Sequence, residues 1–162
     1  MADFSQSYLG QLRQLVGDRL LIVAGTRIVI ENETGSVLLD LRADFEVWAL
    51  PGDACEPEED AAQTIIREVR EESGLTLESV TPFGFASDPH WETTTFPNGD
   101  VCRNFSLMFT TRAFSGTPRP LDGEALEYRW FDPQDLPEMV PNHLRSIEAW
   151  MRWKAGEGFQ LI

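Results

Sequence analysis

Apolar side chains at Phe4, Tyr8, Leu12 and Leu15 fall at helical spacing, and Gly17 follows as a stop. This pattern predicts a helix over residues 4–16. The period then shortens. Residues 20–31 are rich in Ile and Val, broken by Arg27, and read as a strand. A second strand is predicted over 37–41, after the turn residues Glu33, Thr34 and Gly35, and a short apolar patch over 47–50 ends at Pro51 and Gly52. Helical spacing returns over 58–73, where Ala61, Ala62, Ile65, Ile66 and Val69 form one apolar stripe. Glu58, Glu59 and Asp60 crowd its start, where the helix dipole favours acids, and Gly74 stands where a left-handed residue ends a helix. Residues 75–87, 101–113 and 126–131 read as further strands, with a short turn or helix near 134–136. A last helix is predicted over 142–154, with Leu144, Ile147, Trp150 and Met151 on one face.

Strands interleaved with helices predict an α/β fold, a mixed sheet covered by helices on both faces. No repeat and no long linker divides the 162 residues, so a single domain over 1–162 is expected. At 42% hydrophobic and 25% charged, the chain can build a core without disulfides. Cys55 and Cys102 lie far apart and outside metal-ligand spacing, so two free thiols and a cytoplasmic location are the expectation. The start of the chain lacks a basic region before an apolar one, and no apolar run nears the ~20 residues of a membrane span. Thirteen Lys and Arg against 27 Asp and Glu give a net charge of −14. That balance disfavours long nucleic acid and anionic lipid, which are held by Lys and Arg. Small phosphorylated ligands remain compatible, provided a metal ion neutralises charge locally.

The chemistry concentrates in residues 51–75. Glu68, Glu71 and Glu72 stand at i, i+3 and i+4, so a helix puts them on one side. Like charges at these spacings weaken an isolated helix by about 0.2–0.5 kcal/mol per pair. Converging carboxylates suit a hard divalent cation, although an Arg-Glu-x-x-Glu-Glu run by itself is more often a solvated surface.

The whole stretch resembles the Nudix box, Gly-x5-Glu-x7-Arg-Glu-U-x-Glu-Glu-x-Gly-U with U aliphatic. Glu59 takes the first Glu position, and Arg67-Glu68-Val69-Arg70-Glu71-Glu72-Ser73-Gly74-Leu75 matches every specified position of the second half. The preceding Leu38, Leu39, Arg42 and 48–52, and the later 126–136, also resemble the family, so the likeness spans nearly the whole chain.

The resemblance implies a Nudix-type α/β/α sandwich with a mixed β-sheet between helices. It implies a hydrolase that cleaves the diphosphate linkage of a nucleoside diphosphate joined to a group X, such as ADP-ribose or a nucleoside triphosphate, with Mg²⁺ or Mn²⁺ and water. Glu68 and Glu72 would be the principal metal ligands. Glu71 would be a further ligand or help to activate water. Glu59 would pair with Arg67, which would orient Glu68, and Gly74 would end the helix. A further acid outside the box completes the site in many relatives; Glu127 is preferred over Glu124. Arg42 and Arg103 are candidate phosphate contacts, because guanidinium matches phosphate oxygens. Residues 85–103 are the candidate specificity loop, with Trp91 for base stacking, Phe96 as a residue that pins the loop, and His90 as a polar loop residue. Aromatic residues on the last helix suit internal packing or a homodimer.

Two positions depart from the pattern. Asp53 stands at the first glycine, and Glu58 stands where many relatives have another. Both add charge beside a pyrophosphate site and predict modest loop strain at Asp53. They motivate the alternative of a nucleotide-binding module with little or no catalysis.

Overall fold

The computed structural model describes residues 4–162. Met1, Ala2 and Asp3 lie outside the described residues, although the helix predicted over 4–16 does not depend on them. That helix is in fact two pieces. A single 3-10 turn, Phe4–Gln6, precedes α1, Tyr8–Val16. Ser7 divides them, its hydroxyl accepting the Gly10 N–H at 3.1 Å as an N-cap. The turn folds back so closely that a Cβ on Gly10 would lie 1.8 Å from the Phe4 carbonyl oxygen. Arg13 then staples α1 to the sheet, donating to the carbonyls of Gly17, Arg19 and Val101.

The strands are β1 (Leu21–Ile30), β2 (Val37–Arg42), β3 (Trp48–Ala49), β4 (Thr76–Leu77), β5 (Thr81–Ala86), β6 (Thr93–Thr95), β7 (Val101–Thr111), β8 (Phe114–Ser115), β9 (Ala125–Phe131) and β10 (Gln160–Leu161). The helices after α1 are α2 (Ala61–Ser73), α3 (Pro89–Glu92) and α4 (Pro141–Lys154). The main sheet runs β1-β7-β5-β10, with β6 also pairing with β7. It is mixed: β1 and β7 are parallel, β5 and β7 antiparallel. A second antiparallel sheet runs β3-β2-β9, and β4 pairs with β8.

Strand alternation divides the core between two layers. Ile28, Ile30, Leu38 and Phe109 face α2 and pack with Ile65 and Val69, all 3% exposed or less. Val29, Val37, Leu39 and Met108 face α4 and pack with Ile147 and Trp150. Each such side chain contributes about 1.5–3 kcal/mol when fully buried. Helices thus cover both faces, and the fold is the expected α/β/α arrangement.

Three details differ from the sequence reading. The strand predicted over 75–87 is two strands, β4 and β5, separated by a bend. The loop after β5 holds α3 and β6, initiated by Asp88, whose side chain accepts the His90 N–H at 2.9 Å, and by Pro89 at the first helical position. Helix α2 begins at Ala61 rather than at 58, with Glu58 and Glu59 ahead of its N-cap Asp60, while residues 134–136 form a turn, one of the two forms expected. The aromatic face of α4 packs internally: Trp150 is 2% exposed, and Trp153 packs on the same core with its ring 6.1 Å from that of Phe83.

Candidate active site

Helix α2 is built to present acids at a fixed height. Asp60 caps it with a reciprocal capping box, accepting the Gln63 N–H at 2.8 Å while the Gln63 side chain accepts the Asp60 N–H at 2.9 Å. Gly74 closes it in the left-handed conformation, with φ of 74°. Arg67 lies along the helix and ties its acids together. It pairs with both oxygens of Glu59, with Glu68 at 2.5 Å and with Glu71 at 3.4 Å. The Thr64 hydroxyl also donates to Glu59 at 3.0 Å. These bonds hold the Glu59 carboxyl below its ordinary range, the Arg67 bond contributing most.

The entry loop reaches the same place from the other side. Residues 51–55 run beside β1, with the Thr26 N–H donating to the Asp53 carbonyl at 2.9 Å and the Cys55 N–H to that of Ala24 at 2.9 Å. Gly52 makes this approach feasible: its φ is 143°, and a Cβ there would meet the Thr26 carbonyl oxygen at 2.2 Å. Asp53 needs no such freedom. Glu46 is the one described non-glycine residue with positive φ, so the strain expected at Asp53 is absent. Glu58 is exposed at the start of the α2 region.

Carboxylate oxygens of Asp53, Glu72 and Glu124 lie within 4.8 Å of one another. Glu68, 8% exposed, stands one helical turn before Glu72, 9% exposed. Crowding and loss of water raise the pKa of each. Glu68 is pushed to about 8, by burial first and then by the charge of Asp53, against the pull of Arg67. Glu72 is pushed well above its ordinary value, by burial first and then by Asp53 and Glu68. Asp53 and Glu124 shift the same way although their side chains are exposed at the open side of the cluster, each feeling the charge of neighbouring acids. Acids that repel each other in a half-dry site bind a hard cation in place of protons. The donor set, all oxygen, fits Mg²⁺ or Mn²⁺.

Asp53 and Glu124 of this set border a cleft of about 630 Å³. Its wall includes Arg42, Phe45, Phe96, Asn104 and His143. Phe45 and Phe96 face each other with ring centroids 5.7 Å apart. His143 accepts the Leu50 N–H on Nδ1 at 3.0 Å, which leaves Nε2 as its donor. Burial and the charges of Arg27 and Arg42 keep this imidazole neutral, with its pKa well below the usual value.

The sequence-predicted residues divide into those that meet and those that do not. Glu68 and Glu72 face the acid cluster, and Arg67 supports them. Glu71 is more open, its side chain 48% exposed, and reaches only Arg67 and Arg70. Arg42 borders the cleft, with Nε and Nη2 paired to Asp44 at 2.8 and 2.6 Å. Glu127 lies elsewhere. It opposes Leu41 on the strand face that carries Leu39 and Phe131 toward α4, and it pairs with Arg129 at 2.6 Å. The acid beside Glu72 is Glu124, in the turn before β9. Arg103 is likewise on the wrong side of its strand: Cys102, Asn104 and Ser106 line the cleft, whereas Arg103 donates to the Ser87 carbonyl and covers the Phe105 ring. Trp91 stands outside the cleft lining, 39% exposed, with the Arg145 guanidinium 4.8 Å from its ring and His90 edge-on. Phe96 is the loop aromatic that lines the cleft.

Four residues at or beneath the site were missed or misread. Asp53, in sequence a charged departure from a family glycine, is a member of the acid cluster. Asp40, 7% exposed, shows in the sequence only as a strand residue. His143 carried no signal beyond its place in a helix. Arg27, an interruption in the apolar pattern of its strand, is 2% exposed, and its guanidinium pairs with Glu92, Ser106, Ser146 and the Asn142 carbonyl beneath the cleft.

A mixed sheet between two helical layers, with an Arg-tied row of glutamates on the central helix, defines a Nudix-type domain. The family model described as NUDIX domain matches residues 22–151, and the chain belongs to that family. It is 32% identical over 109 residues to the ADP-ribose pyrophosphatase of Methanocaldococcus jannaschii, a match covering 67% of this chain and 60% of that protein. It is 30% identical over 115 residues to the nucleoside triphosphatase NudI of Escherichia coli, covering 67% of this chain and 80% of the relative. Among solved structures, an ADP-ribose pyrophosphatase from Streptococcus suis superposes with a TM-score of 0.67 at 23% identity, covering 86% of this chain and 96% of that one. That last likeness concerns the fold.

Proposed function

We propose that this chain is a divalent-cation-dependent hydrolase of the diphosphate linkage in a nucleoside diphosphate joined to a second group. The observation that carries this reading is the convergence of Asp53, Glu72 and Glu124 within 4.8 Å at the edge of a 630 Å³ cleft. A binding module has no need of so many crowded, mutually repelling acids. Asp53, which motivated the binding-module alternative, instead adds to the cation-holding charge.

A divalent cation in this cluster supplies Lewis acidity toward phosphoryl oxygens and a more acidic water. Asp53, Glu72 and Glu124 would hold it, with Glu68 one turn away on the same helix, and the more open Glu71 is the candidate to assist water. Arg67 keeps one oxygen of Glu68 fixed and spares that carboxylate from rotating away. Arg42 has Nη1 unpaired, and it offers this donor to a phosphate oxygen at the cleft rim. Phe45 and Phe96 give the cleft an aromatic wall for a base, and neutral His143 offers an N–H donor that does not change with pH across the physiological range. The names of the relatives direct the first assays to ADP-ribose and nucleoside triphosphates.

The test is a panel of such compounds with Mg²⁺ or Mn²⁺, products separated by chromatography, comparing the wild type with Glu72→Gln. Hydrolysis is expected in the wild type, with a loss of at least about 100-fold in the variant, the scale of removing a preorganised electrostatic partner of the transition state. Equal rates in both proteins, or no turnover of any compound, overturns the reading.

A further inference from the structure

A second, much smaller chamber adjoins the cleft and shares Arg42, Gly52 and Glu124 with its lining. Its volume is about 10 Å³, room for one water molecule. Asp40, Tyr128 and Glu72 also line it. Asp40 and Tyr128 are direct cross-strand partners in β2 and β9, on the face turned toward α2. Two of their polar atoms are buried and have no hydrogen-bond partner in the protein: Asp40 Oδ1 and Tyr128 Oη. Each such orphan costs about 1–3 kcal/mol. Apolar residues would fill these strand positions at no such cost, as Leu38 and Trp130 do one pair along.

The donor and acceptor balance identifies the occupant. A phenol keeps its proton at neutral pH, so Tyr128 Oη is a donor. A carboxyl group keeps an accepting oxygen in either protonation state, so Asp40 Oδ1 and a Glu72 oxygen accept. One water accepts from Tyr128 and donates to the two carboxylates, three bonds in all, the usual count for a buried water. A cation fits less well, because the Arg42 guanidinium lines the same chamber.

We propose that Asp40 and Tyr128 bind one water against Glu72 and through it fix the orientation of that carboxylate. They are positioning residues for the cation site. The inference rests on the reading of Glu72 as a cation ligand. Partners of ligands matter in this way because an oriented ligand loses less freedom on binding.

Mn²⁺ binding followed by electron paramagnetic resonance tests it, on the wild type, Glu72→Gln, Tyr128→Phe and the double variant Asp40→Leu/Tyr128→Phe. The expected result is ~10-fold weaker Mn²⁺ binding in Tyr128→Phe and in the double variant. The cation-free melting temperature of the double variant should hold or rise, because both orphans are gone. Unchanged Mn²⁺ affinity in a folded double variant, with Glu72→Gln impaired, overturns the positioning role alone. Unchanged affinity in Glu72→Gln overturns both the cation reading and this inference. A high-resolution crystal structure of the wild type is independent of any variant's folding. It should show an ordered water bonded to Asp40 Oδ1, Tyr128 Oη and Glu72, and a chamber without one at a resolution that shows neighbouring waters rejects the proposal.

Discussion

Asp53 stands at a family glycine position, and its backbone does not need glycine; the neighbouring Gly52 takes the close approach to β1. The side chain is therefore free to serve the cluster. Its charge is the second cause, after burial, of the raised pKa of both Glu68 and Glu72. Asp53→Asn is expected to lower the Glu68 pKa toward the ordinary range and to weaken Mn²⁺ binding by roughly 10-fold, since affinity follows the ligand charge count. Titration of the Glu68 carboxyl by nuclear magnetic resonance, beside a Mn²⁺ titration, checks both parts. An unshifted Glu68 with full affinity would remove Asp53 from the site.

Elements hold these residues at the right height. The capping box and Gly74 fix the two ends of α2, while Ile65 and Val69 fix its rotation on the sheet, which leaves Glu72 beside Asp53 and Glu124 and Glu68 one turn before it. Asp60→Ala is expected to cost about 1 kcal/mol in chemical denaturation. The loop after β5 is held differently. Glu92 at the end of α3 is 1% exposed and pairs with Arg27, and Asn142 donates to the same carboxylate at 3.2 Å. This buried pair pins the segment that leads to Phe96. Glu92→Ala leaves the Arg27 charge buried without its carboxylate and is expected to destabilise by about 3–5 kcal/mol. Denaturant melts measure it, and a loss below about 1 kcal/mol would show the anchor to be unnecessary.

The whole molecule carries a charge of −14, and its most crowded acids lie in one place. This sets the pH dependence of stability. Glu68 near 8 and Asp40 near 7 take up protons in the folded state that the unfolded chain, with ordinary values of 4.5 and 3.8, has released. Between those limits the folded state binds more protons, so cation-free stability falls as pH rises from about 4.5 to about 8. Glu59 has the opposite sign: its depressed pKa contributes stability above 4.5 that is lost as pH falls through the folded value. Melting temperatures in a chelator should decline across about pH 5 to 8. Mg²⁺ or Mn²⁺ should remove much of that decline, adding about 2.7 kcal/mol at roughly 100 times Kd. Melts insensitive to both pH and cation would contradict the clustered-acid site.

Local order along the chain determined the helix α2, its glycine stop, the row of glutamates and the family. These depend on spacing within one element, where 3.6 residues per turn translates directly into shared faces. The pairing of Arg67 with Glu59 and Glu68 came from the family resemblance and not from spacing, since Glu59 precedes the helix. Tertiary structure alone decided which distant groups joined that row. Glu124 rather than Glu127 meets Glu72, because a strand turns alternate residues to opposite faces and a register shift falls between Ala125 and Glu127. Arg103 lost its place by the same parity, and Trp91 by the path of a loop whose anchor, Arg27 with Glu92, joins residues 65 positions apart. Asp40 with Tyr128 became a site only through cross-strand register and burial, which no single stretch of sequence encodes.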